Sequence, residues 1–181
     1  MSNTDSYRHD DLHFAMAPLG GRVRLFTYLI MPFLLLFVIV DVVIFRHIIP
    51  HKVMMLHCLW PSALVMLAIG LCWHVSRIRE LKLDGNTLFV RLPWWGNRFE
   101  LAGLQSIEAD PQALKGAWKK MGNDGLGGMI GSFHSKRQGA MRVYVSDPAK
   151  SVMLRWTDRI VVVSPKDTDW FIESVRKRTG L

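Results

Sequence analysis

The sequence predicts an α+β membrane protein: a two-helix transmembrane hairpin followed by a polar domain of about seven antiparallel strands, capped by a C-terminal helix. Three observations predict it. Two long apolar runs, residues 25–45 and 53–75, are separated by the short connector Arg46-His47-Ile48-Ile49-Pro50-His51-Lys52. Past Arg79 the hydrophobic pattern changes from continuous to alternating. The chain then closes on an amphipathic stretch flanked by helix start and stop signals. The chain therefore divides into a polar N-terminal tail (1–24), the hairpin (25–75) and a cytoplasmic domain (76–181).

The tail is short and polar and meets the hairpin through Pro18 and Gly20-Gly21, so much of it is expected to be disordered unless a partner holds it. His9, Asp10, Asp11 and His13 are grouped in it, but a flexible tail without further ligands makes a weak metal site. At about 1.5 Å per residue, each apolar run can cross a hydrocarbon core of about 30 Å. The first is not a cleaved signal peptide: it is too long, lacks a small-residue cleavage site and is followed at once by a second span. Pro32 and Pro61 do not count against the spans, because neighbouring helices or water can satisfy the freed carbonyls. Basic residues set the orientation. Arg22 and Arg24 precede the first span and Arg77, Arg79 and Lys82 follow the second, against only Arg46 and Lys52 on the far side. Both termini and the domain are thereby placed in the cytoplasm of a bacterium, with the hairpin in its inner membrane and Tyr28 and Trp73 as interfacial anchors.

Cys58 and Cys72 lie on one helix about 21 Å apart by rise, too far to bridge, and match no metal or redox spacing. Asp41 and His57 are symmetric about Ile49, so an antiparallel hairpin sets them at the same depth. A facing pair would lower the cost of burying each and join the hairpin, or a partner helix, by a hydrogen bond. With His47 and His51 at the same outer turn, metal or proton handling is a remote alternative.

In the domain, residues 80–84 alternate polar and apolar up to Gly85-Asn86, and 87–92 form a second strand. After Pro93-Trp94-Trp95-Gly96-Asn97 come 98–101 and 104–110, then 141–145, 152–156 and 160–163. For the terminal helix, Ser164 fits the N-cap, Pro165 the first turn and Asp167 the N3 acid. Trp170, Phe171, Ser174 and Val175 give it an apolar stripe, and Arg176, Lys177 and Arg178 suit its C-terminal end before Gly180.

No motif carries catalysis. The run Gly125-Leu126-Gly127-Gly128-Met129-Ile130-Gly131 lacks the Gly-Lys-Ser/Thr ending of a phosphate loop, and its glycines instead fit positive φ in a long connection between the two halves of the domain. His134 and Ser135 adjoin without an orienting acid, Ser132 lacks a nucleophile elbow, and Glu80, Glu100, Glu108 and Asp110 sit where a solvated strand face would carry them. No catalytic residue, cofactor or resident metal is expected. The net charge of +8 belongs mainly to the domain. Lys115, Lys119 and Lys120 surround Trp118, and Lys136 and Arg137 follow. Nucleic acid would attract such charge, but a domain tethered beside anionic headgroups gains about 1 kcal/mol from each nearby Lys or Arg. Trp94 and Trp95, flanked by Arg91 and Arg98 at a strand tip, suit an interfacial anchor or a partner contact; the alternative is that one or both tuck under the domain.

From Arg79 to Arg178 the chain resembles the bacterial pleckstrin-homology domains of small integral membrane proteins. The resemblance rests on Gly125-Leu126-Gly127-Gly128-Met129-Ile130-Gly131-Ser132-Phe133, on Gly139-Ala140-Met141-Arg142-Val143-Tyr144-Val145 and on Ser164-Pro165-Lys166-Asp167-Thr168-Asp169-Trp170-Phe171-Ile172. It implies a PH-like β-barrel or sandwich with the C-terminal helix plugging one end, a membrane address, and no established reaction. The expected function is a non-enzymatic, membrane-anchored adaptor or accessory subunit that stabilises a larger inner-membrane protein complex, with phospholipid headgroups as a second partner and room for self-association. The alternative is a tethered module sensing a lipid or small ligand.

Overall fold

The computed structural model describes residues 11–48 and 52–181. In chain order these form β1 (Leu12–Ala15), α1 (Gly21–Ile48), α2 (Lys52–Val75), β2 (Glu80–Asp84), β3 (Thr87–Arg91), β4 (Gly96–Glu100) and β5 (Ser106–Ala109). There follow β6 (Trp118–Asp124), β7 (Met129–Ser135), β8 (Gly139–Val145), β9 (Val152–Arg155), β10 (Ile160–Val163) and α3 (Thr168–Thr179).

The continuous Leu, Ile, Val and Phe content of α1 leaves nothing to interrupt its helix, and Pro32 is accommodated inside it. Its 28 residues reach about 42 Å. Residues Val23–Val40 have a mean hydropathy of 2.4 and are 13% buried, long and apolar enough to cross a membrane. The described apolar run of α2, Ala63–Val75, is shorter. The side chains of Asp41 and His57 lie outside the described residues, as do His51 and the group His9 and Asp10.

The domain is a sandwich of a four-stranded sheet, β1-β2-β3-β4, and a six-stranded sheet, β5-β9-β10-β8-β7-β6. Of the expected barrel or sandwich it is the sandwich, its sheets not closed into a barrel and its strands neither seven nor all antiparallel. The described residues carry ten strands, and β10 runs parallel to β8. The alternating segments from β2 to β4 bury Leu81, Leu83, Leu88, Val90 and Phe99 toward the inter-sheet core. By contrast Ile160-Val161-Val162-Val163 is apolar at every position because β10 is buried on both faces: Val161 and Val163 join the inter-sheet core, and Ile160 and Val162 pack with Val143, Val145 and Phe133. β6 escapes pattern reading because it is a solvent-facing edge strand with almost no alternation in burial.

The expectation of a loose tail is corrected for its described part, from residue 11 on. Residues 12–15 form β1, antiparallel to β2 with Ala15 opposite Glu80. On its other edge the Lys166 N–H donates to the Ala15 carbonyl at 2.8 Å, and the Ala17 N–H to the Ser164 carbonyl at 2.9 Å. This segment thus joins one sheet to the chain leaving β10. Phe14 anchors it, 2% exposed, with its ring centroid 4.3 Å from Trp170 and 5.1 Å, edge-on, from Phe171. A four-residue strand showing only Leu12 and Phe14 inward is too short to announce itself by periodicity.

The terminal helix starts later than its sequence signals imply. Asp167, not Ser164, is the N-cap, its carboxylate accepting from the Trp170 N–H at 3.2 Å. Ser164 is fully buried instead, its hydroxyl accepting from the Ser146 N–H at 2.8 Å. Pro165 faces Met16 across an isolated bridge. Phe171, Ser174 and Val175 are buried, Gly180 ends the helix at φ 75°, and Trp170 lies half-exposed over Phe14.

Phe14→Ala is expected to destabilise the domain by about 3 kcal/mol, the usual range for emptying a buried aromatic site. Urea unfolding followed by tryptophan emission checks it, and an unshifted midpoint would show that β1 contributes nothing to the core.

Candidate functional site

Strand register decides where the sequence-predicted residues lie. Ala15 pairs with Glu80, Glu80 with Arg91, and Arg91 with Gly96, so these residues line one end of the four-stranded sheet. At that same end, β1 leads through Met16–Gly20 into α1, and α2 leads through Ser76–Arg79 into β2. The Trp94–Trp95 connection between β3 and β4 therefore sits beside the roots of both helices. A Leu92 N–H to Trp95 carbonyl bond of 2.8 Å closes this turn and pushes the two indoles outward, Trp94 69% and Trp95 51% exposed. They do not tuck under the sandwich.

The flanking cations are partly engaged. Arg91 donates to Glu80 at 2.8 Å, and Arg98 stacks over Phe89 at 5.2 Å. The Arg91 guanidinium, and behind it His13 at 3.3 Å, hold the Glu80 carboxyl below the usual carboxylate range. Arg79, Glu80, Arg91, Arg98, Phe89, Trp94 and Trp95 line a groove of about 590 Å³. Its walls combine flat aromatic surface with three arginines, one of them paired to Glu80.

The second expected cluster is not part of this groove. Trp118, Lys119 and Lys120 lie exposed on β6, the outer strand of the other sheet, and Lys115 lies exposed in the turn preceding it. Trp118 packs against His134, ring centroids 4.8 Å apart. Lys115 lines a separate hollow of about 400 Å³ with Val23 and Met129, near the base of α1. Among the acids expected on a solvated face, Asp110 is buried, faces Arg137 at 3.2 Å and accepts the Gln112 N–H at 2.8 Å. Among the described residues, no group of three or more His, Cys, Asp or Glu side chains could hold a metal. Ser135 is buried and its hydroxyl accepts from the Gln138 N–H at 3.0 Å, a turn contact rather than an activated nucleophile.

The glycine-rich run is the feature whose role sequence reasoning missed. It does adopt positive φ, but as the β6–β7 hairpin turn running on into β7, not as a long connection between the halves of the domain. The turn is buried against the helix roots. Thr27 of α1 shares its hydroxyl proton between the Val23 carbonyl at 2.8 Å and the Gly125 carbonyl at 3.2 Å, and faces the Gly127 N–H at 3.4 Å. A Cβ on Gly127, at φ +77°, would lie 3.1 Å from Trp73 Cδ1 and 3.2 Å from the Trp73 carbonyl of α2. Asn123 braces the turn from inside through the Leu126 and Gly128 carbonyls. Arg77 stacks over the Trp73 indole at 5.2 Å. Glycine is needed here because the turn lies directly against the Trp73 carbonyl and indole of α2 while Thr27 of α1 bonds to its backbone, an arrangement no short-range pattern encodes.

A family model of the bacterial PH domain matches residues 79–179, from the approach to β2 to the last residue of α3 and more than half of the chain. No curated protein and no solved structure matches it.

Gly127→Ala and Gly85→Ala separate joint from turn. Both positions have positive φ and share a strain of about 1–2 kcal/mol, but Gly85 has nothing within 4 Å of its missing Cβ. The expected outcome is a red-shifted Trp73 emission in a background lacking the other tryptophans for Gly127→Ala alone. Equal spectra for the two variants would remove the joint.

Proposed function

The chain belongs to the bacterial PH domain family, and we propose that it is a non-enzymatic, membrane-anchored accessory subunit whose PH-like domain binds and stabilises a larger inner-membrane protein complex. In this reading α1 and α2 are the transmembrane hairpin, and both termini and the domain are cytoplasmic. The observation that carries it is the surface of α1. Leu25, Leu29, Phe33, Leu36 and Phe37 are all more than half exposed, as is Tyr28. Leu64, Val65, Leu67 and Leu71 of α2 are exposed too. Apolar surface on this scale is stable against lipid tails or partner helices and is very costly in water. The joint at Thr27, Gly127 and Trp73 gives such an anchor a purpose, because it fixes how the domain is presented at the membrane surface.

One observation favours the second reading, a module that contacts lipid headgroups. The exposed Trp94–Trp95 tip lies at the same end of the sheet as the helix roots, and the exposed Arg24, Arg77 and Arg79 surround those roots. Indoles suit the boundary between an apolar layer and a charged one, and each nearby cation adds about 1 kcal/mol of attraction to an anionic leaflet. Affinity purification from membranes in mild detergent, followed by mass spectrometry, separates the readings. A stoichiometric integral membrane partner supports the accessory subunit. Isolation of the chain alone, with its domain protected by anionic vesicles, supports the headgroup reading and overturns the first.

A reporter active only in the periplasm is expected to be silent when fused after Leu181 and active when inserted at Ile49; the opposite pattern would reverse the orientation. Replacing Trp94 and Trp95 together by Ser is expected to leave the thermal transition of the domain within about 1 kcal/mol of its original stability, as for exposed positions, while weakening partner or vesicle binding. Loss of the folded domain would instead make the tryptophans structural.

A further inference from the structure

The slot that β1 fills is built by the domain, but its filling is not. The family match begins at Arg79, whereas β1 precedes both helices. Between the free edge of β2 and residues 164–166, the domain offers two rows of backbone hydrogen-bonding groups, with Phe171 and Trp170 between them. An extended segment satisfies both rows and inserts one aromatic ring. We propose that this slot is a strand-exchange site, and that its occupant in trans is residues 11–17 of a second copy of this chain.

The match between slot and segment is detailed. Leu12 to Ala15 pair in register with Leu83 to Glu80. Asp11 reaches Lys82 at 2.8 Å, and this mutual contact lowers the carboxyl pKa and raises that of the ammonium. Ser146 Oγ donates to the Ala17 carbonyl at 2.6 Å. A second copy carries the same segment and reproduces every one of these contacts. Closed and exchanged forms therefore bury the same surface and make the same hydrogen bonds. They differ only in the hinge and in association, which is why exchange of identical elements is a low-cost route to a dimer.

The hinge is Pro18-Leu19-Gly20, which extended spans about 10 Å, close to the separation of two packed helix axes. Gly20 is buried against Asp147 and its N–H donates to the Ser146 carbonyl at 3.0 Å, the contacts that exchange must reorganise. The exposed apolar face of α1 supplies the reason for two copies to lie side by side. Here the inference rests on the proposed membrane anchoring, since confinement to a plane raises the effective concentration of the second strand.

The test uses the full chain in a background of Cys58→Ala and Cys72→Ala. His13 and Lys82 face each other across β1 and β2, as do Ala15 and Glu80, and all four residues are away from the core. One chain carries His13→Cys and a first tag; a co-expressed chain carries Lys82→Cys and a second tag. After mild oxidation in intact cells, the expected result is a disulfide dimer bearing both tags, lost when the first chain also carries Phe14→Ser and reproduced by the pair Ala15→Cys and Glu80→Cys. The proposal is overturned if neither mixed pair cross-links while a single chain carrying both cysteines closes its internal disulfide. Because the readout is made in cells regardless of compartment, a failure of the membrane reading would show in the reporter assay and not here.

Discussion

The rest of the structure depends on the double pairing of residues 12–17. An extended segment bonded along one edge to β2 and along the other to the chain leaving β10 turns two open sheets into one enclosed core on that side. Without it, the edge of β2 would present unpaired backbone groups and Phe171 would lose its edge-on neighbour Phe14. The buried serines follow from the same constraint. Ser164 Oγ accepts the Ser146 N–H, Ser146 Oγ donates to the Ala17 carbonyl, and so the ends of β8 and β10 and the incoming segment share one small polar node inside an apolar surround. Small hydroxyl side chains fit where three backbones converge.

That same strand is the lead-in to α1, and this couples the core to the two helices. α1 is attached to the domain by covalent continuity through Ala17–Gly20 and by the Thr27 hydroxyl on the glycine turn. α2 is attached by Ser76–Arg79 and by Trp73 lying against Gly127. Each helix therefore has one chain connection and one packing contact, at different points of the domain. Two points of attachment per helix resist tilting far better than one, so the orientation of the Trp94–Trp95 tip relative to the helix axes is set by the fold.

How much of this was legible in the sequence follows from what periodicity can see. The β2–β3–β4 meander was readable because each strand has one buried face and one wet face, and Gly85-Asn86 marks its turn. The exposed Trp94–Trp95 tip was readable for the same reason, being excess aromatic surface outside the alternation. β1 was hidden by its length, β6 by its exposure, and β7 by Gly131, which lies close against the backbone of β6 and interrupts the apolar pattern. The Ser164-Pro165 cap misled because both residues were already committed elsewhere: Ser164 to Ser146, and Pro165 to the bridge with Met16. Local capping preferences are worth about 1 kcal/mol, less than the burial and pairing that recruited these residues. The basic cluster around Trp118 was readable as a group separate from the Trp94–Trp95 tip because its residues are adjacent in sequence, and β6 keeps Trp118, Lys119 and Lys120 together on the other sheet.

The charge pattern at the base takes its meaning from this geometry. Glu80 is opposite Ala15 on one side and Arg91 on the other, so its carboxylate ties the incoming strand, through His13, to the strand that carries the tip. Each of these surface pairs contributes little stability alone. Their effect is positional. With Arg91 directed toward Glu80 and Arg98 laid over Phe89, the charge of the groove is held along its walls and the two indoles keep the outermost place. At this end of the sheet the exposed indoles of Trp94 and Trp95 and the exposed guanidinium of Arg91 thus stand side by side. The arrangement works only if the tip and the helix roots share one end of the sheet, and the register of β1 on β2 is what guarantees that they do.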